Sequence, residues 1–327
     1  MEAIGVDHAG LLAVRSHCPI PSRISPHAAA VQGWLDDWLC HFDLPADTPN
    51  LDLDRLRRGN IAYYASRLYP DANPTDLRTI AALFTWFFLL DDACDGPPGE
   101  AAPDVRGVRA GVLHVLRPGP RHQHPAFAGL LRQMLVRVWR TLRARTGSTW
   151  RSRFLDAVRH HLDGILVEAD NKAKQRRPSV TEYIHLRRAT SAAYVSYTLV
   201  ELTTGTPLPV AVHHHPLIQE ITTTGNDLLS WFNDLLSLDR DTITSGGHNL
   251  VLAVARESHV PVELANALVV RRWQETMDRF TELVSAVPSF GPRIDRPLRH
   301  YLDSVAGSIR GTIDWSWESQ RYVSPGG

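Results

Sequence analysis

Three aspartates close an otherwise apolar stretch of the chain. Asp91, Asp92 and Asp95 follow the run Thr-Trp-Phe-Phe-Leu-Leu at residues 85–90, and Gly96 comes directly after them. Strong helix formers before the acids and Gly-Pro-Pro after them predict a helix that ends just past Asp95. On that helix Asp91 and Asp95 share one face, whereas Asp92 lies about 100° away. Clustered carboxylates repel one another, so the stretch is either a solvated helix end or a site for a hard cation such as Mg²⁺ that also binds phosphates.

A second polar pattern occurs in a long helical segment predicted for residues 216–241. Asn233, Ser237 and Asp241 stand at positions i, i+4 and i+8, which lie on one face of a helix. Amide, hydroxyl and carboxylate oxygens all bind hard cations, and this mixture repels less than three carboxylates would. A core-facing polar stripe is costly without a ligand, so the pattern indicates a second metal site.

An earlier triplet repeats the same pattern. Asn226, Ser230 and Asp234 precede the first triplet by seven residues, or two helical turns. The two triplets therefore share nearly one face and differ in depth by about 10 Å. The helical period alone cannot choose between them.

The composition limits the classes of partner. Basic (Lys and Arg) and acidic side chains both number 35, so the net charge is zero with histidine neutral, whereas a large nucleic-acid interface would need a basic surplus. The chain has no run of about 18 apolar residues, so we expect no membrane span. The first residues lack the pattern of an export signal, and three widely spaced cysteines without a CxxC pair fit a reducing compartment. We expect a cytoplasmic protein.

Helical spacing dominates the rest of the chain, and no stretch shows sustained alternation with a period of two. Residues 1–27 contain several prolines and are predicted to form an extended N-terminal arm. Residues 28–323 are predicted to form a single domain of about ten helices, followed by a C-terminal tail at 324–327. The predicted fold class is all-α.

These motifs together resemble a known family. Residues 91–95 read DDACD, which is similar to the DDxxD motif of class I terpene synthases (terpenoid cyclases) of the bacterial type, most like the sesquiterpene synthases. The triplet that starts at Asn233 lies about 140 residues further on, where that family carries Asn, Ser or Thr, and Glu at the same spacing. The segment Arg67–Pro70 and the aromatic residues before Asp91 are also similar to the family.

The resemblance favours the later triplet. The family carries a diphosphate-sensing arginine 46 residues before the Asn of its second motif; counting back from Asn233 reaches Arg187, whereas counting back from Asn226 reaches no basic residue. A basic residue usually precedes the last ligand, and Arg240 stands there. Further matches are Asn249, eight residues beyond the last ligand, and the pair Arg321 and Tyr322 near the C-terminus.

Two positions depart from the family pattern. Asp241 stands where Glu is usual, so its carboxylate reaches one methylene less far and the geometry of this ligand is an open point. Thr190 and Ser191 stand three and four residues after Arg187, where the family often has Asp and Gly. A backbone carbonyl needs no particular side chain, so the expected role of Arg187 is unaffected.

The resemblance implies an antiparallel helical barrel around an apolar cavity, with the two motifs facing each other across its mouth. The metal ligands implied are Asp91, Asp95, Asn233, Ser237 and Asp241. Asp92 is expected to pair with an arginine beside them. The diphosphate would be bound by Arg187, Arg240, Arg321 and Tyr322, of which Arg187, Arg321 and Tyr322 are the candidate catalytic residues. The aromatic candidates for the cavity wall are Phe84, Phe87, Phe88 and Trp315, whereas Trp86 is expected to pack elsewhere.

The implied function is ionisation of a linear isoprenyl diphosphate and cyclisation of the resulting carbocation to a sesquiterpene hydrocarbon or alcohol, a carbon–oxygen lyase reaction. The expected cofactor is Mg²⁺, three ions, with Mn²⁺ as a substitute. Farnesyl diphosphate is the expected substrate for a single domain of this size, and geranyl and geranylgeranyl diphosphates stay open. A chain-elongating prenyltransferase would need a second DDxxD motif. The non-enzymatic alternative is a catalytically degenerate helical diphosphate-binding protein, and a homodimer is compatible with each of these.

Overall fold

The computed structural model describes residues 8–42, 59–95, 104–117, 127–244 and 248–319. Within these ranges the regular structure is helical and contains no strand, which confirms the all-α prediction. The helices in chain order are α1 (His8–His17), α2 (Ala28–Leu39), α3 (Ile61–Leu68), α4 (Pro74–Asp95), α5 (Val105–Leu116), α6 (Gly129–Arg145), α7 (Ser148–Ala173), α8 (Val180–Thr190), α9 (Ala193–Thr204), α10 (Val210–His213), α11 (Pro216–Leu236), α12 (Leu238–Thr244), α13 (Leu250–Ser258), α14 (Val262–Ser285) and α15 (Pro292–Glu318). No helix in the described ranges is long and apolar enough to cross a membrane.

Helix α4 carries the first acidic motif at its C-terminal end. It begins directly after Asn73, whose Oδ1 accepts a hydrogen bond from the Asp76 backbone N–H at 3.0 Å and so satisfies one donor that a helix start leaves without a partner. Its middle turns are buried, as at Leu83 and Trp86, because the sequence there is apolar on all sides. The helix therefore runs through the core and brings Asp91 to the edge of it.

The second motif lies at a helix break. Helices α11 and α12 are separated by Ser237, so the continuous helix predicted for residues 216–241 is wrong at this position. The Ser237 hydroxyl lies 2.8 Å from the Asn233 carbonyl oxygen, a local contact that competes with regular helix geometry. The backbone N–H of Ser237 still donates to Asn233 O at 2.9 Å, and that of Asp241 donates to Ser237 O at 2.8 Å. The three motif residues therefore keep one face across the break.

Close contact between α3 and α15 joins two parts of the cavity wall. Gly311 on α15 faces the backbone of Arg67 on α3, and a Cβ atom at Gly311 would lie 3.0 Å from the Arg67 carbonyl oxygen. The Arg67 guanidinium also contacts α15, with Nη1 3.5 Å from Asp314 Oδ2 and Nε 3.0 Å from Glu318 Oε2. These contacts hold the Arg67–Pro70 segment against the last helix.

Four buried tryptophans link separate elements. Each indole N–H donates to a backbone carbonyl of another element at 2.7–2.9 Å: Trp86 to Leu131, Trp150 to Thr198, Trp273 to Leu228, and Trp315 to Gly59. An indole buries a large apolar surface, and these bonds satisfy its single donor. They fix α4 to α6, α7 to α9, α14 to α11, and α15 to the turn before α3.

The extended N-terminal arm predicted for residues 1–27 is wrong for residues 8–17, which form α1. Leu11 and Val14 are three residues apart and buried, and α1 packs on α11 and α14. This helical spacing precedes the first proline, Pro19, so the proline-rich composition does not prevent the helix. Residues 1–7 and the tail at 324–327 lie outside the described residues, and the domain limits stay a prediction.

Candidate active site

A cavity between α3, α4, α7, α8, α9, α11 and α15 has two adjoining chambers. The apolar chamber is bounded mainly by Tyr64, Leu68, Phe84, Phe87, Phe88, His161, Val195, Leu229 and Trp315. The polar chamber is bounded by side chains that include Glu168, Lys172, Tyr183, Asp234, Asp241 and His248. Both chambers share in their walls Asp91, Arg187, Thr190, Asn233 and Arg240. The shared residues form the boundary between a charged mouth and an apolar interior.

The predicted aromatic residues meet in the apolar chamber. Tyr64 stacks on Trp315 with ring centroids 4.4 Å apart, and Phe84 lies 5.4 Å from Tyr64. The ring centroids of Phe88 and Trp315 lie 6.0 Å apart, and Phe87 also lines the chamber. Trp86 lies outside the cavity lining and is fully buried, in agreement with the expected packing role.

The first motif reaches the cavity through Asp91. This residue is exposed and lines both chambers, whereas Asp92 is half-buried and lines neither. Asp95 is the last residue of α4, and its side chain lies outside the described part of the structure. Arg321 and Tyr322 also lie outside the described residues, so their predicted roles stay predictions.

The earlier triplet is occupied by structural hydrogen bonds. Asn226 is fully buried, and its Nδ2 donates to the Arg188 carbonyl oxygen at 2.8 Å. Its Oδ1 accepts from the Ser191 hydroxyl at 2.7 Å, and the Ser230 hydroxyl donates to the Asn226 carbonyl oxygen at 2.8 Å. These contacts tie the junction between α8 and α9 to α11. Asn226 lines neither chamber, whereas Asn233 lines both and Asp241 lines the polar one. This difference favours the triplet that starts at Asn233 as the ligand set, a choice that the helical period left open.

Asp234, the third member of the earlier triplet, anchors the predicted sensor arginine. The Arg187 Nε donates to Asp234 Oδ1 at 2.9 Å, and its Nη2 donates to Asn233 Oδ1 at 2.9 Å. The other carboxylate oxygen of Asp234 accepts from the Tyr183 hydroxyl at 2.7 Å and from the Leu250 backbone N–H at 3.1 Å. Arg187 is therefore held in a fixed position between the two chambers.

These contacts keep Arg187 and Asp234 charged. Burial raises the pKa of the Asp234 carboxyl, and Arg187 and the Tyr183 hydroxyl oppose that effect. Burial alone would lower the pKa of Arg187, yet the Asp234 carboxylate raises it above its ordinary value. Burial and the same carboxylate raise the pKa of Tyr183, so its hydroxyl keeps the proton that it donates. A carboxylate that accepts from three donors stays ionised, and Arg187 is a positioned cation.

The members of the second motif meet at the break after α11. The Ser237 hydroxyl lies 2.6 Å from Asp241 Oδ2, and the same oxygen accepts from Asn249 Nδ2 at 3.0 Å. Asn249 Nδ2 also contacts the Asp234 carbonyl oxygen at 2.8 Å, which explains why an Asn suits this position. Arg240 Nη2 lies 3.3 Å from Asp241 Oδ1. The shorter reach of Asp, compared with Glu, still places this carboxylate in the wall of the polar chamber.

The donor set fits a hard divalent cation. Asp91, Asn233 and Asp241 present carboxylate and amide oxygens to the polar chamber, and the Ser237 hydroxyl adjoins Asp241. Within the described ranges, no three His, Cys, Asp or Glu side chains are grouped so that they alone could hold a metal. The Asn233 amide and the Ser237 hydroxyl add oxygen donors beside the carboxylates, and these are ligand types for Mg²⁺ and not for soft metals.

Several residues of the cavity wall were not predicted from the sequence, Tyr64 and His161 among them. Tyr64 comes from α3, outside both motifs, and its ring contacts with Phe84 on α4 and Trp315 on α15 place it in the site. His161 lies on α7 in line with the buried residues Phe154, Val158 and Ile165, and a histidine on such an apolar stripe was the available signal. Gly164, one turn further on, permits this approach to α8, because a Cβ atom there would lie 2.6 Å from that of Ala189.

The fold and the site together define a class I terpene synthase. Residues 82–279 match the model of terpene synthase family 2, C-terminal metal binding. The chain is 32% identical to 10-epi-cubebol synthase of Sorangium cellulosum over 94% of its own length and 97% of that protein. The chain therefore belongs to this family, as its motifs predicted.

Two further relatives match over most of their length. The chain is 27% identical to a (+)-T-muurolol synthase of Roseiflexus castenholzii, named as cyclising (2E,6E)-farnesyl diphosphate, over 93% of this chain and 92% of that one. The crystal structure of germacradien-4-ol synthase from Streptomyces citricolor superposes with a TM-score of 0.78 at 24% identity, over 91% of this chain and 98% of that chain. The second likeness supports the fold.

Proposed function

We propose that the protein is a Mg²⁺-dependent cyclase that converts farnesyl diphosphate to a cyclic sesquiterpene. The observation that carries this proposal is the pair of adjoining chambers. The polar chamber offers cation ligands and arginines to a diphosphate, and the apolar chamber offers aromatic walls to a hydrocarbon chain. A substrate with an anionic head and an apolar tail fits both at once, and farnesyl diphosphate is the substrate named for the T-muurolol synthase relative.

The residues proposed to hold Mg²⁺ are Asp91 and Asp95 on one side and Asn233, Ser237 and Asp241 on the other. Bound Mg²⁺ supplies positive charge that stabilises a departing diphosphate. Arg187 and Arg240, which line both chambers, donate hydrogen bonds to the diphosphate oxygens as planar, permanently charged groups. Arg321 and Tyr322 are proposed to add donors to the same group. Arg187 is already fixed by Asp234, so it needs little reorganisation when negative charge develops on the leaving group.

The apolar chamber is proposed to fold the carbocation that the leaving diphosphate generates. The faces of Tyr64, Phe84, Phe88 and Trp315 attract positive charge through their ring electrons. Aliphatic side chains such as Leu68 and Leu229 exclude water that would capture the cation early. A homodimer and a cytoplasmic location stay predictions.

The test measures diphosphate release from geranyl, farnesyl and geranylgeranyl diphosphates with and without Mg²⁺, and identifies the products by gas chromatography–mass spectrometry. We expect Mg²⁺-dependent release, fastest with farnesyl diphosphate, and a cyclic product. Asp91→Asn should remove most of the activity, and Asp303→Asn serves as the matched control because Asp303 is exposed on α15 and lines neither chamber.

Three outcomes would contradict the proposal. Absence of diphosphate release from every substrate, together with Mg²⁺-dependent thermal stabilisation by diphosphate, would support the non-enzymatic alternative. A longer linear diphosphate formed in the presence of isopentenyl diphosphate would identify a chain-elongating prenyltransferase. Release that is fastest with geranyl or geranylgeranyl diphosphate would refute farnesyl diphosphate as the preferred substrate.

A further inference from the structure

The apolar chamber contains one imidazole. His161 is 5% exposed, lines this chamber, and contacts the Phe87 ring edge to face with centroids 5.4 Å apart. Its Nδ1 lies 3.2 Å from the Ala189 carbonyl oxygen at the end of α8. The ring is therefore held on two sides, by α4 and by α8, in the wall of the apolar chamber.

The contact with Ala189 fixes the proton on the ring. A carbonyl oxygen can only accept a hydrogen bond, so Nδ1 carries the N–H and Nε2 carries a lone pair. No hydrogen bond to Nε2 occurs among the described residues. Burial lowers the pKa of His161 to about 4, and the charges of His160 and Arg187 act in the same direction. The imidazole is therefore neutral at pH 7 and does not repel a cation in the chamber.

The other uncharged polar side chains of the apolar chamber are weaker bases. The hydroxyls of Ser230, Thr312 and Ser191 lie within hydrogen-bond distance of backbone or amide oxygens, to which they donate. A neutral hydroxyl oxygen is also far less basic than an imidazole nitrogen. The charged members of the wall, Asp91 and Arg187, belong to the boundary with the polar chamber. Among the described residues that line this chamber, His161 is the one whose side chain carries a basic nitrogen lone pair.

We propose, on the basis of the cyclase function proposed above, that Nε2 of His161 accepts the proton that ends the carbocation cascade, so that the enzyme releases an alkene. In this step a C–H bond next to the cationic carbon breaks, its electron pair forms the C=C bond, and the proton binds Nε2. The resulting imidazolium returns its proton to water once the product leaves and solvent enters. A carbocation is a far stronger acid than this imidazolium, so the transfer is downhill.

The first experiment compares product profiles and diphosphate release in His161→Asn. The Asn side chain can keep an N–H donor to the Ala189 carbonyl oxygen but has no basic nitrogen. We expect diphosphate release within about threefold of the parent enzyme, because ionisation takes place in the polar chamber. The share of the main alkene should fall at least about tenfold in favour of isomeric alkenes and water-capture alcohols. His160→Asn, an exposed neighbour outside the cavity lining, is the matched control and should keep the parent profile.

A second experiment separates basicity from shape. His161→Ala leaves a space for an added five-membered ring, and imidazole and pyrrole have the same shape and an N–H, but pyrrole has no basic lone pair. We expect added imidazole, and not pyrrole, to restore the main alkene. Equal effects of the two rings, an unchanged profile in His161→Asn, or an alcohol as the main product of the parent enzyme would overturn the proposal. Failure of the parent enzyme to release diphosphate would instead refute the cyclase function on which this inference rests.

Discussion

Replacement of Arg187 by Met should affect stability and activity separately, and the structure allows the two effects to be distinguished. The Arg187 and Asp234 side chains are 16% and 2% exposed, so the substitution leaves an uncompensated buried carboxylate. Removing one partner of a buried ion pair costs about 3–5 kcal/mol. At roughly 2 °C per kcal/mol for a large domain, Tm should fall by about 6–10 °C. Diphosphate release should fall as well, since Arg187 lines both chambers.

A second substitution should restore stability without restoring the guanidinium of Arg187. In Arg187→Met with Asp234→Asn, the new amide is neutral, and its oxygen can still accept from the Tyr183 hydroxyl and the Leu250 N–H, which both contact Oδ2. We expect the double variant to recover more than half of the lost stability, because no buried charge is left alone. Thermal melts and metal-dependent diphosphate release, measured on all four proteins of the cycle, give the two readouts.

The double variant decides whether Arg187 acts on the substrate. If stability returns and diphosphate release stays low, the guanidinium stabilises the leaving group directly. If activity returns together with stability, Arg187 serves only to neutralise Asp234, and its proposed role in diphosphate binding would be refuted.

Three further perturbations test other parts of the site. Tyr183→Phe removes one donor to Asp234 and should lower the free energy of unfolding by about 1–3 kcal/mol in urea melts; no change would mean that the phenol is not a needed partner. As the pH falls from 6.5 to about 4, the unfolded chain protonates His161 before the folded protein does, so stability should decline through this window. The decline at pH 4.5, relative to His161→Phe, should be about 2–3 kcal/mol in urea melts, and parallel pH profiles would contradict it. Asp241→Asn can keep the contacts with Ser237 and Asn249 through its oxygen but loses the charge, so the Mg²⁺ concentration for half-maximal diphosphate release should rise at least about tenfold with Tm little changed; an unchanged Mg²⁺ titration would remove Asp241 from the ligand set.

The sequence predicts α4 and its acidic end well because the relevant signals are local. An apolar run, three acids and a Gly-Pro-Pro stop act within a few residues of one another. Local signals do not decide between the two triplets, because both lie on one helix face. The resemblance favours the later one, and the structure adds that Asn226 binds Arg188 and Ser191 on other elements and lies outside both chambers.

The features that the sequence did not predict depend on interactions that helical periodicity does not reveal. The break at Ser237 depends on a hydroxyl contact with its own helix, and Ser is common in uninterrupted helices as well. Tyr64 and His161 reach the cavity because Gly311 and Gly164 allow close helix packing, and that requires knowledge of which helices are neighbours. Helix α1 was not predicted because the prolines that follow it indicated an extended segment.

The indole of Trp315 limits how the enzyme can diversify. Its ring faces the apolar chamber, yet its N–H also holds the carbonyl of Gly59 at 2.9 Å, so any smaller side chain would reshape the chamber and release the turn before α3 together. Leu229 lines the same chamber through an aliphatic side chain, which forms no hydrogen bond with another element. Natural or laboratory lineages that explore new product skeletons should therefore accept changes at Leu229 early, and changes at Trp315 only after stabilising substitutions elsewhere have accumulated.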